Sequence, residues 1–263
     1  MQRSRAILAG FGDDDCGFLA GGIAYQLFFA LIPVLALVIG VFGLVYGPER
    51  AAAELVSLIA RLLPAVREEE ARAVRSLVDG RAVSFGLGLF GTVLSAAAIH
   101  SSLDTALAAV RGRAGKRRYL RGQLEAAGFL LAIAALAVAS FAASYGIQAL
   151  ADLTGGGGAA GAWVALALSP LAGLLPGLGF FYLVFRLVPR RRPARGVALR
   201  GALVSAVLWE VAKLAFAGLT RTLGTFAAYG ALAFAAGLLT WIYVTAAILL
   251  VGAEYIKTEG ARA

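Results

Sequence analysis

Apolar residues in this chain are gathered into long blocks, not spread in the alternating or one-sided patterns of water-soluble elements. Six blocks stand out, over 18–46, 83–110, 124–151, 162–188, 197–220 and 229–256. At about 1.5 Å of rise per residue, each can cross a hydrocarbon core of about 30 Å. The pattern predicts an all-α polytopic membrane protein, a single transmembrane helical domain spanning 1–263 with six crossings. The first block is too long to cross straight. It must tilt, break near Pro33, or lay its start in the interface.

The polar segments between blocks give an orientation. Segment 111–121, RGRAGKRRYLR, holds six basic residues and no acid, and segment 186–200, RLVPRRRPARGVALR, holds six arginines and no acid. Linker 152–161 has no base, and linker 221–228 has one. Basic short loops stay on the cytosolic side. Both termini are therefore expected in the cytosol. The N-terminus, MQRSRAILAGFGDDD, has no cleavable signal pattern and is read as retained there. Linker 47–82 is balanced, with six basic and six acidic residues. Leu55, Leu58, Ile59, Leu62 and Leu63 recur at helical spacing, as do Val74, Leu77 and Val78. Two amphipathic helices split at Pro64 are expected there, on the outer side, as a cap on the bundle or as a gate.

Composition sharpens the membrane reading. Hydrophobic residues make up 60% of the chain and charged residues 15%, against roughly 25% charged in soluble domains. Mean hydropathy is +0.84. The net charge of +9 is mostly this loop asymmetry. Arg117, Arg118, Arg190, Arg191 and Arg192 are candidates for holding anionic lipid headgroups. Specific nucleic-acid recognition is not expected, because these loops are short and carry one aromatic, Tyr119. A single cysteine, Cys16, and a single histidine, His100, exclude an intramolecular disulfide framework and a Cys/His zinc cluster. No metal, no cofactor and no enzyme activity are expected, since hydrolytic chemistry would want carboxylates and histidines converging on an aqueous face.

Polar residues inside the blocks are the candidate chemistry. Glu210 and Lys213 interrupt an otherwise apolar run, beside Trp209. A charge in such surroundings costs several kcal/mol unless it finds a partner or water. Three apart on a helix, the two can pair. They are either a structural pair or the lining of a cavity that meets a charged group in transit. Gln26, next to Tyr25, is a further cavity candidate. Pro33, Pro170 and Pro176 are candidate helix kinks. His100 and Asp104, four apart, are read as a packing contact in preference to a proton relay. Glu254 and Glu125 are expected to meet the arginine loops. Small residues at four-residue spacing, Gly17/Gly21, Gly91/Ser95, Gly201/Ser205 and Ala233/Gly237, allow close helix approach.

Three stretches carry a family resemblance. They are FLAGGIAYQLFFALIPVLALVIGVFGLVYG (18–47), SAAAIHSSLDTAL followed by its basic loop, and the closing LRGALVSAVLWEVAKLAFAGLTRTLGTFAAYGALAFAAGLLTWIYVTAAILLVGAEYIK (199–257). The last combines a WE..K helix, a YG start and a GAE end. The chain resembles the YihY/virulence factor BrkB family, once labelled ribonuclease BN. The resemblance implies a six-helix, multi-pass bacterial inner-membrane protein. It also implies links to envelope lipid handling and transport, with the ribonuclease name a misassignment. Where the family usually has a second aromatic after its first-helix tyrosine, Gln26 stands here. The expectation is a transporter or flippase-like protein for lipid or another amphiphile, with membrane lipids as partners. The alternative is a non-transporting scaffold that maintains the envelope. Substrate, coupling and oligomeric state are not fixed by these residues.

Overall fold

The computed structural model describes residues 2–47, 80–112, 125, 127–136, 139, 174–189, 191–222 and 230–260. Seven helices lie among them: α1 (Gln2–Asp13), α2 (Cys16–Tyr46), α3 (Arg81–Val110), α4 (Ala127–Leu136), α5 (Leu174–Leu187), α6 (Arg195–Thr222) and α7 (Gly230–Gly260). There are no strands among the described residues. The expected outer amphipathic segment, Pro64 and Pro170 lie outside these residues, as do most of the third block and the first part of the fourth.

Among the described residues, three helices are long and apolar enough to cross a membrane: α2, α3 over Ala82–Val110 and α7 over Ala235–Gly260. Their exposed side chains are large and apolar, for instance Phe18, Ile32, Leu87, Phe90 and Leu239. That surface suits lipid and not water. The first block does not break at Pro33, since α2 continues through it for 31 residues. The nearest helix boundary lies before the block, between α1 and α2. Asp15 there adopts φ 50°, a left-handed conformation that Asp tolerates better than most residues. Its carbonyl then accepts the Leu19 amide at 3.1 Å. At the far end of α3, Gly112 takes φ 63° and donates its amide to Ala109, a glycine stop of the usual kind.

The chain divides into two compact units. In the first (1–23, 100–224 and 243–263), α6 packs on α7 through small residues. Ala198, Gly201, Ala202, Ser205 and Ala206 are all buried. A methyl on Gly252 would meet Ser205, Phe185 Cζ at 2.9 Å and the Gly201 carbonyl at 3.1 Å. Of the small pairs expected from the sequence, Gly201/Ser205 makes this contact with both members. In the second unit (24–99 and 225–242), α2 and α3 run antiparallel with their backbones close together. Gly91 faces Pro33, Gly88 faces the Ala36–Leu37 backbone, and Gly40 faces the Phe85 backbone. Nothing lies within 4 Å of a methyl built on Gly21 or Gly237, so the spacing there does not mark a contact.

Candidate functional site

The polar centre foreseen in the fifth block lies on α6, in the first unit. The packed face of that helix follows Ala198, Ala202, Ser205 and Trp209, while Leu203, Val207, Val211 and Leu214 form an exposed apolar face. Glu210 and Lys213 sit on the shoulder between the two. Trp209 is wedged against neighbouring helices. Its indole Nε1 donates to Thr245 Oγ1 on α7 at 3.3 Å. On its other side, a methyl on buried Gly177 of α5 would meet the indole at 3.3 Å, a tight approach that the ring would have to ease. Lys213 Nζ lies 4.5 Å from the Trp209 ring centroid, within cation–π range.

Lys213 Nζ is also 2.7 Å from Glu210 Oε1. This is an ion pair held by proximity and not by a well-directed hydrogen bond, because Oε1 has no partner in good geometry. The side chains are 34% and 30% exposed, while Glu210 Oε1 itself is buried. The local pairing read from the i,i+3 spacing is present. An incoming dipolar group would find one charge of each sign beside an aromatic face.

The other sequence candidates distribute as follows. Tyr25 and Gln26 belong to the second unit. Tyr25 is exposed and stacks on Phe29 with centroids 4.7 Å apart, while Gln26 is half-buried. Pro33 lies within continuous α2, facing Gly91. Pro176 lies within α5, which continues unbroken to Leu187. Arg191 and Arg192 are exposed, and Arg117, Arg118 and Arg190 lie outside the described residues. His100 is buried and meets Phe129 edge-on at 5.8 Å, consistent with a packing role.

A second polar cluster was only half legible. Glu254, expected to meet the arginine loops, is 1% exposed and instead joins Lys257 and Asp14. Glu259, one turn further along α7, is the residue that pairs with an arginine of that segment, Arg200. Lys257 bridges two carboxylates, Asp14 in the α1–α2 corner and Glu254 at 3.4 Å. Gly10 on α1 lies directly against the Glu254 carboxyl. Hydrogen bonds, first from Glu254 and then from Lys257, hold the Asp14 carboxyl below the usual carboxylate range. The sequence signals were the DDD run at 13–15 and the i,i+3 spacing of Glu254 and Lys257. Their partners lie more than 200 residues apart along the chain.

A profile described as virulence factor BrkB matches residues 7–260. The chain belongs to the virulence factor BrkB family. Among BrkB-family relatives, a UPF0761 membrane protein of Chlorobium chlorochromatii is 30% identical over 262 residues, which is 92% of this chain and 56% of the relative. UPF0761 membrane proteins of Tolumonas auensis and Cronobacter sakazakii are each 28% identical, over 94% of this chain and 82% and 85% of theirs. The chain thus spans little more than half the length of several curated relatives it matches. No solved structure matches.

Proposed function

We propose that this BrkB-family chain is a non-enzymatic bacterial inner-membrane protein that moves lipid or another amphiphile across the bilayer. One observation carries the reading: an ion pair on the shoulder of α6, within the otherwise uncharged run 201–220, with both side chains about one-third exposed. Ionisable groups at membrane depth are expensive and mark substrate paths. Here the Lys213 ammonium offers a contact for a phosphate or carboxylate, and Glu210 one for a cationic headgroup. The indole supplies a flat apolar wall. A dipolar headgroup can replace the internal pair charge for charge, so leaving water for this position costs it less.

The test is lipid exchange in proteoliposomes. Wild type should exceed empty vesicles, and Glu210→Ala or Lys213→Ala should lower the rate by about tenfold, the effect of roughly 1.4 kcal/mol on a barrier. If wild-type vesicles behave as empty ones, transport fails as an explanation. A second reading, a non-transporting envelope scaffold, draws on the same pair being satisfied within one helix turn and packed on Trp209. The swap Glu210→Lys/Lys213→Glu separates the two. A scaffold pair, which loses the Lys213–Trp209 contact in the swap, should lose stability and nothing else, whereas a headgroup path on the shoulder should change rate or lipid preference.

A further inference from the structure

The turn joining α5 to α6 is fixed from two sides by guanidinium groups. Arg111, just beyond the end of α3, donates through Nη1 to the Arg191 carbonyl at 2.8 Å, and Arg186 donates through Nη1 to the Pro193 carbonyl at 2.8 Å. Both bonds clamp backbone. Pro193 further stiffens the segment. Three arginines in and just after this turn, Arg191, Arg192 and Arg195, are exposed, and none makes an ion pair with a described carboxylate. The nearby carboxylate of Glu259 is already held by Arg200.

Two helix ends set where this turn can lie. α3, a candidate membrane span, ends at Val110, one residue before Arg111. α6 begins at Arg195 and carries Arg200 before its uncharged run from Gly201. A turn between these two helix ends would sit at or beyond the edge of the hydrocarbon, facing the headgroup layer that thickens a bilayer core of about 30 Å to about 40–45 Å. Planar guanidinium groups at that height match phosphate in geometry and charge. Segment 186–195 contains neither an acid to neutralise them nor an aromatic for base stacking.

We propose that Arg191, Arg192 and Arg195 form a docking surface for anionic phospholipid headgroups, held in shape by Arg111 and Arg186. The surface does not depend on transport. It would recruit anionic lipid to this end of the protein whether or not lipid is then moved.

The test titrates fluorescent phosphatidylglycerol and phosphatidylcholine analogues into the detergent-solubilised full chain. Wild type is expected to favour phosphatidylglycerol by about tenfold or more. At about fivefold per arginine near an anionic surface, the triple variant Arg191→Gln/Arg192→Gln/Arg195→Gln should lose on the order of a hundredfold. Arg192→Gln alone should lose about fivefold, which keeps the test open if the triple variant misfolds. Equal affinity for the two lipids would overturn the assignment. So would unchanged phosphatidylglycerol binding in a triple variant that melts like wild type. Displacement by inorganic phosphate, at ionic strength matched with chloride, would assign the site to free phosphate and overturn the lipid docking surface. Because binding is read without flux, loss of transport and loss of docking are separate results.

Discussion

Gly252 has no room for a side chain. A methyl there would press on Ser205 from α6, on the tip of Phe185 and on the Gly201 carbonyl. Alanine would ordinarily strengthen a helix by up to about 1 kcal/mol over glycine. Overpacking a tight contact costs about 1–3 kcal/mol, and the approach is close enough here for sterics to win. Gly252→Ala is expected to destabilise the detergent-solubilised protein by on the order of 1–2 kcal/mol, seen as a lower melting temperature. Ser205 is the nearest obstacle, and it also donates to the Ile248 carbonyl at 3.2 Å. Ser205→Ala alone should cost about 1 kcal/mol from that bond. In its background Gly252→Ala should cost clearly less than in wild type, because the nearest obstructing atom is gone. Additive losses in this double-mutant cycle would show that the two residues do not share the contact. The same glycine logic at Gly88 meets backbone in place of a side chain, so no neighbouring rotamer can relieve it.

Among whole elements, α1 is held in a different way from the rest. None of its described side chains is buried, and Leu8 is 69% exposed. What ties its end to α7 is polar: the Asp14–Lys257 ion pair and the Glu254 carboxyl against Gly10. An element with little buried apolar surface opens at low free-energy cost, so these few contacts decide whether α1 stays down. Cys16, the only cysteine, is fully buried beside this joint and reports on it. Asp14→Asn is expected to speed maleimide labelling of Cys16 at neutral pH several-fold, with melting of the remaining helices little changed. Labelling at the wild-type rate would mean that α1 is held by something else. The sign of the pH effect follows from Asp14, whose carboxyl is held below its ordinary value of 3.8. Its stabilising contribution is complete above about pH 4, the unfolded-state range, and fades only as pH falls through the lower folded value. Amide protection of α1, corrected for intrinsic exchange, should therefore weaken in wild type as pH falls below about 4, and less so in Asp14→Asn. An equal acid loss in the two proteins would contradict the assignment.

At the scale of the molecule, the long helices were legible because the bilayer imposes a length and a composition on them. The block at 83–110 became α3 at 81–110, and the block at 197–220 became α6 at 195–222. α7 runs on to Gly260 past the expected end, because its last turn is polar and pairs with Asp14 and Arg200, partners that no local pattern reveals. The Glu210–Lys213 pair was readable from spacing alone, whereas the seats of Trp209 at Thr245 and Gly177 needed tertiary packing. Those long-range contacts bear on topology. Asp14 pairs with Lys257, Glu259 with Arg200, and Arg111 with the Arg191 carbonyl. Each contact joins segments that a six-crossing chain with cytosolic termini would place on one side of the membrane. An odd number of crossings between 111 and 191 would put the guanidinium of Arg111 on one face and its acceptor on the other, with a hydrocarbon layer of about 30 Å between them. Alkaline phosphatase fused after Arg121 or Arg200 is therefore expected to be inactive, and fused after Gly157 to be active, since that enzyme works only once exported. Activity at Arg200 with none at Gly157 would invert the arrangement. It would place the arginine turn on the outer face, against the rule that short basic loops are retained inside.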